Sequence, residues 1–156
     1  IRRDEELPVY ERLGDVRERA TTQGKIADIL QTRGQLDEAL RIRREEQLPV
    51  YAGLDEVRGR AITQGHIAEI LQARGQLDEV LRIRREQELP IYERLGDVRS
   101  RAICQVNIAK ILQVKNPHQL AEVLTLLQEA RKTLKQLGLP EANWVEQELR
   151  ALLGVA

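Results

Sequence analysis

The chain has 156 residues with 25 basic and 25 acidic side chains. The two signs are interleaved, so it lacks the basic excess of a nucleic-acid or anionic-membrane surface and fits one domain or one stretch of a repeat array. No apolar run approaches the ~18 residues that span a bilayer, the opening Ile1-Arg2-Arg3-Asp4 carries no signal-peptide pattern, and the single cysteine, Cys104, excludes an internal disulfide framework. With no Phe or Met, the core must be built from Leu, Ile, Val and Ala.

Taken in order, the chain repeats itself. Shifted by 41 residues, Leu7–Gln47 lies on Leu48–Glu88 with 29 of 41 positions identical, and Leu89–Gln113 continues as a third copy. Ile1-Arg2-Arg3 matches Ile42-Arg43-Arg44, which places residues 1–13 partway along a second helix. The expectation is the carboxyl-terminal part of a longer array. The units read as 15–54, 55–95 and 96–137. Each first helix is expected to start at an acid, Asp15, Asp55 or Asp97, and Asp15 and Glu18 have capping-box spacing. At 100° per residue Val16, Ala20, Gln23, Ile26, Ala27 and Leu30 share one face. Arg33-Gly34 and Arg74-Gly75 mark helix ends, with a cation in the last turn and glycine just past it. The second helix carries Leu36, Ala39, Leu40 and Ile42 and runs toward Leu54.

Pro8, Pro49 and Pro90 recur deep in those second helices, where each removes a donor and crowds the preceding turn. From Glu79 to Leu95 is 16 residues, whereas the proline-free third copy needs 15 from Glu122 to Leu137. An unbroken α-helix would turn Leu48 about 120° away from Leu36, Leu40, Tyr51 and Leu54. One residue looped out before the proline brings Leu48 back and leaves Pro49 facing solvent. The spacing therefore predicts continuous helices with a π-type bulge and i to i−5 bonding near residues 44–49 and 85–90.

The third copy departs after Gln113. Lys115-Asn116-Pro117 replaces Arg-Gly, with Asn116 read as N-cap and Pro117 at the first helical position of a helix over His118–Leu137. Gly138-Leu139-Pro140 stops it. A capping helix follows over residues 140–153, with Trp144, Val145, Leu149, Leu152 and Leu153 inward and Glu141, Asn143, Glu146, Gln147 and Arg150 toward water.

Ile26-Ala27, Leu30, Gly34 and Ala39, with Ile67-Ala68, Leu71, Gly75 and Val80 in the same slots, resemble the tetratricopeptide repeat (TPR) pattern. The period of 41 exceeds the usual ~34 and resembles the long units of kinesin light chain and of bacterial signalling proteins. The chain departs from the pattern at Gln23, Gln64 and Gln105, where the family has tryptophan, and at Arg43 and Arg84, where it has a large apolar residue. The resemblance implies an all-α, right-handed superhelical solenoid of antiparallel helix pairs with a carboxyl-terminal capping helix, here seven full helices after an amino-terminal half helix. It also implies a concave groove lined by first helices that holds a partner's peptide or helix. The matching positions are Arg17, Thr21, Asp28 and Gln31, then Arg58, Ile62, His66, Glu69 and Gln72, then Arg99, Ile103, Asn107, Lys110 and Gln113, with Gly24, Gly65 and Val106 on the same stripe. The family's lysine–asparagine–arginine carboxylate clamp is not reproduced, since Asp28 and Glu69 stand where it needs a neutral amide.

Neither His66 nor His118 has a partner at metal-ligand spacing, and Lys25 and Asn107 occupy the position of His66 in the other copies. Cys104 stands where Thr22 and Thr63 do, which reads as a small packed residue rather than a reactive thiol. No catalytic set can be assembled, so neither enzyme activity, nor a metal, nor a cofactor is expected. Gln23, Gln64 and Gln105 fall on the apolar face and read as a ladder bonding helix backbone or one another. Arg43 and Arg84 read as packed stems bridged to acids of adjacent helices. Arg41 and Glu45 form an i, i+4 pair on a solvent face. The function expected is a cytoplasmic protein–protein interaction scaffold in a signalling protein, binding protein or peptide and neither nucleic acid nor membrane. The alternative is a structural element that stacks through its repeat ends, and self-association through the amino-terminal end is expected because the face formed by Val16, Ala20 and Ile26 lacks a preceding repeat.

Overall fold

A computed structural model describes the backbone from Arg2 to Val155 and the side chains from Arg12 to Val155. Among these residues every regular element is helical. The chain falls into two compact units, residues 1–75 and 76–156.

In the first unit α1 (Arg2–Thr32) is followed by α2 (Leu36–Arg41), a π-helical segment (Ile42–Gln47), α3 (Leu48–Gly53) and α4 (Val57–Ala73). Gly34 ends α1 with φ +76°, a conformation that costs glycine nothing. Its N–H donates to Gln31 O at 3.0 Å and that of Gln35 donates to Leu30 O at 2.9 Å, the paired bonds that satisfy the last carbonyls of a helix. The chain then reverses, and α2 with the π segment packs back on α1. Ala20 and Ala27 are buried there; a methyl group is all that fits where two helix backbones approach closely.

In the second unit α5 (Leu77–Arg82), a second π segment (Ile83–Glu88) and α6 (Leu89–Leu95) repeat this pattern, followed by α7 (Val98–Lys115), α8 (Leu120–Gln136) and α9 (Glu141–Leu153). α8 packs between α7 and α9, placing Leu127 and Leu134 among the most buried side chains of the unit. α9 covers α8 with Ala142, Val145 and Leu149 buried.

The two bulges lie where the proline spacing places them, two residues earlier than the expected limits. The N–H of Leu48 donates to Arg43 O and that of Leu89 to Arg84 O, both i to i−5. Leu48 and Leu89 are half-buried while Pro49 and Pro90 face solvent. α8 has neither proline nor bulge. The extra residue is accommodated in the wider turn, so the apolar edge keeps its direction through the helix.

Several local expectations are corrected. α1 runs unbroken through Gly14 and Asp15, so residues 2–13 continue into the first helix rather than forming a separate half helix, and Asp15 caps nothing. The side-chain part of the Pro8 reading lies outside the described residues. Asp55 is not a cap either: it takes φ +54°, and Glu56 stands at the N-cap without a side-chain bond. Repeat alignment explains the shift, since Asp55 corresponds to Gly96, which turns with φ +65°, and Glu56 corresponds to Asp97. Asp97 does cap α7, accepting from Ser100 N at 3.0 Å. Asn116 is the C-cap of α7 rather than the N-cap of α8, which starts at Leu120 after a Pro117-His118 turn. Leu153 is exposed at the carboxyl end of α9.

Candidate functional site

The exposed stripe of the first helices is the candidate partner surface, built separately in each unit. In the first unit Arg17 of α1 pairs with Glu56 just before α4. Thr21 is exposed and donates to Arg17 O at 3.1 Å. One turn on, Asp28, Gln31 and Thr32 of α1 and His66 and Glu69 of α4 line an open cavity of about 410 Å³. His66 Nδ1 lies 3.4 Å from Glu69 Oε2. Asp28 accepts from the guanidinium of Arg43, so the exposed acid on the stripe is tied to the buried arginine of the π segment. Arg58, Ile62 and Gln72 are exposed along α4.

Gly24 explains how that arginine fits. A Cβ at Gly24 would lie 2.4 Å from Gln47 Nε2 and 3.3 Å from Arg43 Nη1. Glycine here leaves room for the Gln47 amide and the Arg43 guanidinium that the π segment sends underneath the stripe, which a side chain would displace. In the third copy Val106 stands at the glycine position and fully buried Leu127 at the arginine position. Glycine with arginine and a bulge, or valine with leucine and a plain helix, are two solutions to the same packing.

In the second unit Arg99 and Ile103 line a cavity of about 300 Å³ together with Glu88, Tyr92, Ser100, Cys104 and Glu141. Arg99 Nη2 stands 3.9 Å from Glu141 Oε1. The Lys110 ammonium lies 4.1 Å over the Trp144 ring, a contact that holds an exposed cation in place. Gln113 donates to Glu148 Oε2 at 3.4 Å, and Asn107 is half-buried. Cys104 is buried; burial first, with the negative charge of Glu88 beside it, pushes its thiol well above the ordinary range against the opposing pull of Arg84. A thiolate does not form there at neutral pH.

The structure thus brings Asp28, Gln31, His66 and Glu69 to one cavity and Arg99 and Ile103 to another. Thr32 joins the first, and Glu88, Tyr92, Ser100, Cys104 and Glu141 the second; none was expected on the stripe, because only packing sets which neighbouring side chains come to lie beside it. The glutamines do not form a ladder on backbone: Gln105 is buried and donates to Glu129 Oε2 at 2.8 Å, while Gln23 and Gln64 are half-buried. Arg43 reaches the acid of an adjacent helix as expected, whereas the acid paired with Arg84 is Glu88, one turn along its own helix. Among the described residues no three metal-capable side chains cluster, and no helix is long and apolar enough to cross a membrane.

Antiparallel helix pairs with alanines at the crossing and glycine at the turn define a helical repeat of TPR-like type. No protein-family model and no curated protein matches the chain. Solved structures do. A Podosopora anserina protein, described as a kinesin light chain with nearly identical TPR-like repeats, is similar with a TM-score of 0.68 and 24% identity over 86% of this chain. A one-residue variant of it gives a TM-score of 0.69 and 23% identity over the same share. The chain spans 65% of the length of each. The fold is TPR-like.

Proposed function

We propose that the chain is a protein-interaction scaffold that holds an extended peptide or a helix of a partner against the exposed stripe of its first helices. The observation that carries this reading is the cavity of the first unit, where Asp28, Gln31, His66 and Glu69 converge from two helices while leaving polar atoms toward solvent. A TPR-like fold supports it, since such folds serve generally as protein-binding scaffolds rather than enzymes. In this reading the chain is part of a larger signalling protein, cytoplasmic and of bacterial type, and acts without cofactor.

Substitution tests the reading. Arg17, Arg58, Glu69, Arg99 and Lys110 are exposed, so changing them individually to alanine is expected to leave melting nearly unchanged yet abolish partner capture. Glu38 and Glu79, on α2 and α5, serve as controls. Equal loss from the controls would favour assembly through repeat ends instead.

A further inference from the structure

The groove between the two helices of a hairpin can be compared from copy to copy. In the first copy Arg19 and Gln23 of α1 line a cavity of about 270 Å³ with Glu45, Glu46 and Val50. Both acids are held by Arg41, at 3.6 Å and 2.8 Å. The second copy carries Arg60, Glu86 and Ile91 at the matching positions. In the third copy the cavity reaches about 460 Å³ and is lined by Arg101 of α7 and by Glu129, Lys132, Thr133 and Gln136 of α8. Counted back from Leu54 and Leu137, Lys132 and Thr133 stand where Pro49 and Val50 do. One cation beside two acids has become two cations beside one acid.

The groups at this cavity are left without partners. Thr133 is 8% exposed, yet its hydroxyl has no partner among the described residues, and a buried hydroxyl left so costs stability. Val50 and Ile91 carry no such group. Arg101 Nε is buried and equally unbonded. Gln105, one turn along α7 and 5% exposed, donates to Glu129 Oε2 at 2.8 Å, so the one acid is engaged by a neutral amide. Among the described residues neither Arg101 nor Lys132 forms an ion pair. Arg131 and Lys135 of the same helix, by contrast, both reach Glu146 of α9.

We propose that the cavity between α7 and α8 is a binding site for a phosphate monoester. The Arg101 guanidinium and the Lys132 ammonium supply two positive charges, and the Thr133 hydroxyl a further donor, to an anion with three terminal oxygens. A phosphate ester carries a charge of about −1.5 to −2 at neutral pH, which two cations match. Glu129 sets the site against a run of phosphates, since a second one would meet its carboxylate. A phosphorylated side chain of a partner and a free phosphorylated compound offer the same group. Arg101 lies about 200° around α7 from Arg99, so this site is separate from the stripe assigned to the partner peptide and the two readings fail independently.

The test is an NMR titration of the isotope-labelled full chain with three probes: a capped phosphoserine peptide, its unphosphorylated form, and glycerol phosphate. The Arg101 Nε–H signal, identified by its loss in Arg101→Gln, is expected to shift saturably with the two phosphate esters and not with the unphosphorylated peptide. Lys132→Gln should weaken binding about tenfold or more, the factor that one hydrogen bond to a charged group corresponds to. Thr133→Val, which restores the first copy's residue, should also weaken it, and Glu129→Gln should tighten it. Arg19→Gln, in the first copy's groove, should change nothing. Exposed Lys132 carries the test if circular dichroism shows Arg101→Gln misfolded. Tighter binding of the peptide ester assigns the group to a protein partner, tighter binding of glycerol phosphate to a small molecule, and the site stands in both. Shifts that never saturate, equal shifts with the unphosphorylated peptide, or unchanged affinity in Lys132→Gln overturn the proposal.

Discussion

Arg84 Nη1 donates to Glu88 Oε2 at 2.9 Å, and both side chains are buried. Arg43 makes the same reach to Gln47 Oε1 at 2.8 Å, so arginine is the constant member and its acceptor varies between acid and amide. Glu88→Gln is accordingly expected to cost less than about 1 kcal/mol, the scale of one hydrogen bond. Arg84→Ala leaves a buried carboxylate without its cation and is expected to cost about 3–5 kcal/mol. Urea unfolding followed by circular dichroism measures both.

The bulge should be removable. Deleting exposed Glu45 together with Pro49→Ala restores the residue count of the proline-free copy and returns the missing donor. The expected product is a regular helix from Leu36 onward with Leu48 still turned inward, melting within a few degrees of the parent. A crystal structure or backbone NMR reads the bonding directly. Deletion of Glu45 with Pro49 retained should be the less stable variant, because the proline then sits in a regular helix, at a cost of about 3 kcal/mol.

Asp55 holds a left-handed conformation that Gly96 holds in the next copy. Asp55→Gly is expected to stabilise by about 0.5 kcal/mol, the relief of strain outweighing the added freedom of the unfolded chain. Asp55→Ala should destabilise by about 1 kcal/mol, since alanine lacks the short polar chain that tolerates this region. Thermal melts of the two variants should move in opposite directions.

The buried thiol offers a probe of opening. With its protonated form favoured by burial, Cys104 is expected to be inert to a disulfide reagent at pH 8 in the folded protein and to react fully in denaturant. Its slow labelling under native conditions should follow the opening of the second unit. Rapid stoichiometric labelling of folded protein would show the packing around it to be wrong.

Much of the fold was legible because the repeat states each position three times. Gly34 and Gly75 announced the turns, and the alanines announced the crossings. The one-residue surplus before Pro49 and Pro90 announced the π segments, since only a wider turn keeps the apolar edge in line. The candidate stripe was legible as a set of positions. Its grouping was not: Asp28 is tied to Arg43, fifteen residues on, and Lys110 rests on Trp144, contacts that depend on where a later helix comes to lie.

The sharpest division lies in one octapeptide. Tyr-Glu-Arg-Leu-Gly-Asp-Val-Arg occurs at 10–17 and again, unchanged, at 92–99. At 10–17 the backbone continues as helix. At 92–99 it ends α6, turns through Gly96 and starts α7 on the Asp97 cap. Periodicity, glycine placement and acid caps determined from sequence alone which helices can form and where a turn is allowed. Whether the turn is taken was decided by tertiary structure: α6 folds back on α7 and buries Ile91 and Tyr92. That burial offsets the helical hydrogen bonds given up at the turn.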